Sequence, residues 1–209
     1  MNCQNSSVMA LWMSVSLLSG CAGASAGIAS QTEFVADRVS PSVDDGPVMR
    51  AAHAILAGKQ GEENSDAAAL RAAAQILQAI GARPDGNQDE DLSKRWGERA
   101  QALDPSTRPP VYRGRALGPS YRKGKVSAKS GVSTDQIFLA GKKASVALVP
   151  VSSKPLSIKI IDPQGKDICR QNVSSKPANC EWLPLFTERY RINIHTSATQ
   201  PVAYYLISN

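Results

Sequence analysis

The chain reads as an α+β protein: a short N-terminal helical region followed by an antiparallel β-sandwich. Three observations predict this. Apolar residues recur at helical spacing between positions 48 and 103. From about Gln136 the apolar period changes to two. The charge balance reverses between the same two halves. Residues 31–105 carry thirteen acidic and eight basic side chains, whereas residues 106–209 carry five and sixteen, so nets of −5 and +11 make the overall +6. Such asymmetry marks two units and a potential attraction between them. With 42% hydrophobic but only 5% aromatic residues in 209, the core must be largely aliphatic.

The helical half contains three apolar stripes. Val48, Ala52, Ile55 and Leu56 form the first, and Leu70, Ala73, Leu77 and Ile80 the second, stopped by Gly81. Leu92, Trp96, Ala100 and Leu103 form the third, ended by Pro105. The polar breaks GKQGEENS and ARPDGNQDED between them read as loops, so the stripes predict a small hairpin-like layer of helices. The string ERAQALDP resembles the tail of a tetratricopeptide repeat, but no second copy occurs at the required period, so a repeat array is not expected.

In the second half, Phe138 begins one strand, and Ala144, Val146 and Leu148 alternate along the next. Leu156, Ile158 and Ile160 mark a third, which Asp162-Pro163-Gln164-Gly165 ends as a β-turn. Tyr190, Ile192 and Ile194 share one face of a later strand, and Val202, Tyr204 and Leu206 one face of the last. The pentapeptide VSSKP at 151–155 and 173–177 falls both times between strands and reads as recurring loop chemistry. The segment from Gln136 to Asn209 resembles the bacterial pre-peptidase C-terminal domain. The resemblance rests on Phe138-Leu139-Ala140-Gly141, LSIKIIDPQG, Cys169 and Cys180, Trp182 with Pro184, RYRINIHT and YYLISN. It implies a small jelly-roll-like sandwich with a binding, secretion or solubility role rather than catalysis. The calcium-linked acidic positions of that family are thin here, with only Asp162 and Asp167 near the turn.

The N-terminus reads as an export signal. No charged side chain occurs from Met1 to Cys21, and Val8–Leu18 is an apolar run of signal-peptide length, too short to span a bilayer. Leu18-Ser19-Gly20-Cys21 resembles a bacterial lipobox, which implies cleavage before Cys21 and acylation of its thiol. Ala22 after the cysteine resembles lipoproteins sorted to the outer membrane, facing the periplasm. Cleavage after Ala24 or Ala26 is the rival reading, and it gives a soluble periplasmic or secreted protein. The expected organisation is a signal at 1–21, a flexible tether at 22–45, a helical region at 46–105, a basic linker at 106–131 and a sandwich at 132–209.

Cysteine use agrees with export. Once Cys3 leaves with the signal and Cys21 is acylated, Cys169 and Cys180 remain as an even pair in an oxidising compartment, and a structural disulfide is expected. Two cysteines without nearby histidines do not make a zinc site, and no metal or other cofactor is expected.

Between Arg108 and Lys129 there are seven basic residues and no acidic one, interleaved with Tyr112 and Tyr121. Arg113, Arg115, Tyr121, Arg122, Lys123 and Lys125 are the candidate binding residues for an anionic ligand. In the cytosol such a stripe would suggest nucleic acid. In an exported chain the corresponding ligands are an anionic glycan or a lipid headgroup, and nucleic acid is not expected. A solvated linker with packed tyrosines is the alternative.

Motifs for nucleophilic or phosphate chemistry are missing. His53 and His195 are the only histidines, Gly131-Val132-Ser133 lacks the second glycine of a nucleophile elbow, and no P-loop occurs. No catalytic residue is therefore assigned. The expected function is a non-catalytic envelope lipoprotein whose sandwich binds a partner protein or glycan. A complex subunit docking through its helical half, or a small hydrolase with a carboxylate pair, are the alternatives.

Overall fold

The computed structural model describes residues 45–86, 90–106 and 117–209, all within one compact unit, Arg38–Asn209. Cys21 and the lipobox therefore lie outside the described residues, as do Arg113 and Arg115.

Helix α1 spans Pro47–Asn64, α2 Ala67–Ile80 and α3 Leu92–Leu103. Their ends follow local chemistry. Proline opens α1, where its missing N–H costs nothing. The Asp66 carboxylate accepts from the Ala68 and Ala69 amides at the start of α2, and Asp91 accepts from Ser93 and Lys94 at the start of α3. Gly81 closes α2 at φ 69°, a left-handed conformation that suits glycine.

The break GKQGEENS, expected as a loop, is instead mostly helix, because α1 continues to Asn64. Tertiary packing explains its two glycines. A Cβ on Gly58 would lie 2.4 Å from the buried Trp96 ring, and one on Gly61 would crowd Leu70 at 3.2 Å. These glycines let α3 and α2 approach α1 closely, a benefit that outweighs their low helix propensity.

The strands are β1 (Arg83–Pro84), β2 (Ser120–Val126), β3 (Gly131–Phe138), β4 (Ala144–Pro150), β5 (Leu156–Ile161), β6 (Asp167–Val173), β7 (Ala178–Trp182), β8 (Glu188–His195) and β9 (Val202–Ser208). They form two sheets, ordered β1-β2-β9-β4-β7 and β3-β8-β5-β6. Apart from the short parallel β1–β2 contact, every pairing is antiparallel. Leaving β1 aside, the orders 2-9-4-7 and 3-8-5-6 are the eight-stranded jelly-roll connectivity. The expected α+β class and jelly-roll-like sandwich are thus observed.

Within this unit the described residues form three layers and two cores. Between the sheets lie Val126, Val146, Leu148, Ile158, Ile160, Ile192, Ile194, Val202 and Leu206. On the outer face of the five-stranded sheet, Tyr121, Ala147, Val149, Tyr205 and Ile207 meet Ile55, Leu70, Leu77, Leu92 and Trp96 of the helices. Strand β4 is therefore buried at every position, because both of its faces are covered. The join between the halves is mainly apolar, although Arg122 and Asp85 add one ion pair across it at 3.9 Å.

One expected boundary is corrected, and two strands are added. Residues 120–126, placed in the basic linker, are β2, paired with β9 from Ser120↔Ser208 to Val126↔Val202. The sandwich therefore begins before residue 132. Strands β6 and β7, which flank the cysteine loop, carried no clear alternation because they are edge strands with mixed exposure. Among the described residues no helix is long and apolar enough to cross a membrane.

Candidate functional site

Of the candidate anionic-ligand residues, the described Tyr121, Arg122, Lys123 and Lys125 do not converge on one surface. Tyr121 is 1% exposed. Its hydroxyl accepts the Leu92 N–H at 2.8 Å and donates to the Glu90 carbonyl at 3.3 Å, so it ties β2 to the start of α3. This corrects its assignment as a ligand residue: the ring fills the interface between helices and sheet. The pleat then separates the others. Tyr121, Lys123 and Lys125 alternate with Arg122 and Gly124, and the side chain of Arg122 projects from the opposite face and reaches Asp85.

Cys169 on β6 and Cys180 on β7 form a disulfide with Cα atoms 5.8 Å apart. Each strand is an edge, one in each sheet, so the bond staples the sandwich along one side. His195 sits at the end of β8, beside Ser157, Asn172 and Ser174 in a shallow depression. His53 lies within 3.6 Å of the Asp45 carboxylate.

The ionised carboxylates are held by cations. Burial works against charge on Glu62, but Lys59 and Arg95 together lower its pKa below the usual carboxylate range. Arg95 also pairs with Glu90, which links α1, α3 and the segment leading into it. Asp167 is lowered by Lys159 and Arg170, and Glu181 by Lys143. Among the described residues, no three His, Cys, Asp or Glu side chains come together as a metal site.

The distinctive surface lies at one end of the sandwich. Phe138 pairs with Glu188, Ala144 with Trp182, and Ile161 with Arg191. These registers bring the loops 139–143, 162–166 and 183–187 to the same end. There Leu183, Leu185 and Phe186 are 60%, 79% and 68% exposed, with Ile137 at 56% and Leu139 at 49% beside them. The loops that carry them are pinned together. The Gly141 amide donates to the Pro184 carbonyl at 2.9 Å, and the Ala140 amide donates to the Thr187 hydroxyl at 3.0 Å. Gly141 adopts φ 68°, where a side chain would be strained. Beneath the loops, Phe138, Trp182 and Tyr190 pack edge-on or tilted, with ring centroids 4.7–5.8 Å apart. The apolar side chains thus stand on a braced aromatic platform.

The polypeptide enters the helical layer at this same end. A Cβ on Gly46, just before α1, would lie 3.8 Å from the Glu181 carboxylate, which itself pairs with Lys143 at 2.6 Å. Sequence reasoning passed over Leu183, Leu185 and Phe186. The available signal was LPLF, three large apolar residues in a proline-containing break between strands, where polar residues are the rule.

No protein-family model matches the chain, and no curated protein matches it. Among solved structures it is similar to the Yersinia pseudotuberculosis-derived mitogen, with 14% identity over 44% of this chain and 85% of that one, TM-score 0.38. It is also similar to PliG of Aeromonas hydrophila, a periplasmic inhibitor of g-type lysozyme, with 17% identity over 48% and 92%, TM-score 0.37. A carbohydrate-binding module, CBM36, solved with calcium and xylotriose, shows 14% identity over 41% and 78%, TM-score 0.28. These are distant likenesses to small β-sandwich domains.

Proposed function

We propose that the chain is an exported, lipid-anchored, non-catalytic binding module that works through the apolar end of its sandwich. The observation that carries this reading is the set Leu139, Leu183, Leu185 and Phe186, exposed on mutually pinned loops. Large apolar groups held rigidly in solvent are costly to a soluble surface unless something covers them. The helical layer is less suited to docking. Its stripes are spent on the sheet, and Leu103 is its one large exposed hydrophobe among the described residues. Support for export comes from the signal-like N-terminus and the Cys169–Cys180 bond, which belongs to an oxidising compartment. Support for the anchor comes from Leu18-Ser19-Gly20-Cys21, and placement in the outer membrane rests on Ala22.

Palmitate labelling and membrane fractionation of wild type against Cys21→Ala test the anchor. Label and membrane association that depend on Cys21 are the expected result. Equal soluble fractions without label would sink the lipobox and leave a free periplasmic or secreted module.

A further inference from the structure

We infer that the surface covered by this apolar end is the lipid bilayer itself, so that the sandwich is seated on the membrane. The inference deepens the reading of this end as the working surface; its third feature rests on the proposed N-terminal anchor, and the first two do not. Three features carry it.

The first is shape. Leu183, Leu185 and Phe186 project from loops, each more than half exposed. A deformable hydrocarbon layer can receive protruding side chains without a preformed groove. The second is charge. Across segments 139–143, 162–167 and 181–189, Lys142, Lys143, Lys166 and Arg189 are matched by Asp162, Asp167, Glu181 and Glu188. Lys159 and Arg170, each 2.8 Å from Asp167, add two cations beside them, so the end carries a small positive excess that does not select a strongly basic partner, and the main attraction comes from the apolar groups. The third is the chain path. Residues 22–44 lead into the folded unit at Asp45-Gly46, beside Glu181. A chain held to a membrane from its N-terminal side would therefore have its tether join the fold at this end. Burial of leucine and phenylalanine would then add a second point of attachment.

The test uses Arg38–Asn209, the compact unit that holds both cores and contains neither the signal nor Cys21. Flotation is measured with vesicles of phosphatidylethanolamine and phosphatidylcholine, and with the same vesicles containing phosphatidylglycerol. The wild type is expected to float with both, and to do so still in about 0.5 M salt, where surface electrostatics are screened. The triple variant Leu183→Ser, Leu185→Ser, Phe186→Ser is expected to bind about tenfold or more weakly. The single variant Leu185→Ser, at the most exposed position of the three, provides a measurably weakened form with an unchanged melting temperature. Absence of wild-type flotation would overturn the inference. So would unchanged binding by both variants, or binding seen only with phosphatidylglycerol and abolished by salt. A photoreactive residue at 185 in the full chain separates lipid from protein in cells. Lipid adducts are expected, and adducts to one defined protein in their place would overturn the inference. Because flotation does not involve Cys21, its failure is distinct from failure of the palmitate experiment.

Discussion

Tyr121 joins the helical layer to the sheet, and Glu62 joins α1 to α3 within that layer. The Tyr121 hydroxyl receives the Leu92 N–H, the first amide of α3, which has no partner within the helix. Tyr121→Phe keeps the packed ring but leaves that buried amide unsatisfied. The expected loss is about 1–2 kcal/mol of stability, read as a lower denaturant midpoint. Glu62 makes a contribution that depends on pH. Its folded-state pKa lies below that of an ordinary glutamate despite burial, because Lys59 and Arg95 favour the carboxylate. A lowered folded pKa stabilises above the unfolded value, and that stability is lost as pH falls through the folded value. Since the side chain still meets solvent in part, its contribution is discounted to about 0.5–1 kcal/mol. Glu62→Gln should therefore melt below wild type at neutral pH, and the gap should close as pH falls below the ordinary glutamate range. A gap that persisted or widened in acid would show that the Arg95 pairing is not its source.

At the scale of elements, β2 and the β6–β7 pair decide how the sandwich is closed. Strand β2 carries Arg122, Lys123 and Lys125 among seven residues, a composition that reads as solvated linker. It becomes a strand because Tyr121 and Val126 anchor it, one in each core, and because β9 supplies a full antiparallel partner. Gly124 contributes by absence: a Cβ there would meet the Tyr204 ring at 2.3 Å. Strands β6 and β7 are edges of opposite sheets, held by the disulfide over a sequence separation of 11. Cys169→Ser with Cys180→Ser should cost about 2–3 kcal/mol in the chain-entropy model. A reductant should lower the wild-type melting temperature by a similar margin and leave the double variant unmoved.

At the scale of the whole molecule, the acidic helical half is a lid on the five-stranded sheet and not a separate module. Its removal would expose Tyr121, Ala147, Val149, Tyr205 and Ile207 together. A fragment beginning at Leu117 should therefore bind a hydrophobic dye and aggregate, although it contains all eight jelly-roll strands. A soluble, cooperatively melting fragment would show that the helices are dispensable.

The sequence alone determined the class, the three helical stripes and most of the inner strands, because burial on one face writes period 3.6 or period two directly into the chain. It also pointed to the cysteine pair, since few partners were left for either residue. Only the tertiary structure decided the rest. Whether Gly58 breaks a helix or admits Trp96 depends on a residue 38 positions away. Whether Tyr121 faces a ligand or a core depends on the layer packed above it. Leu139 and the Leu183–Phe186 segment, far apart in the chain, become one surface only when antiparallel registers bring two loops to the same end. Such outcomes are set by long-range packing, which local periodicity does not encode.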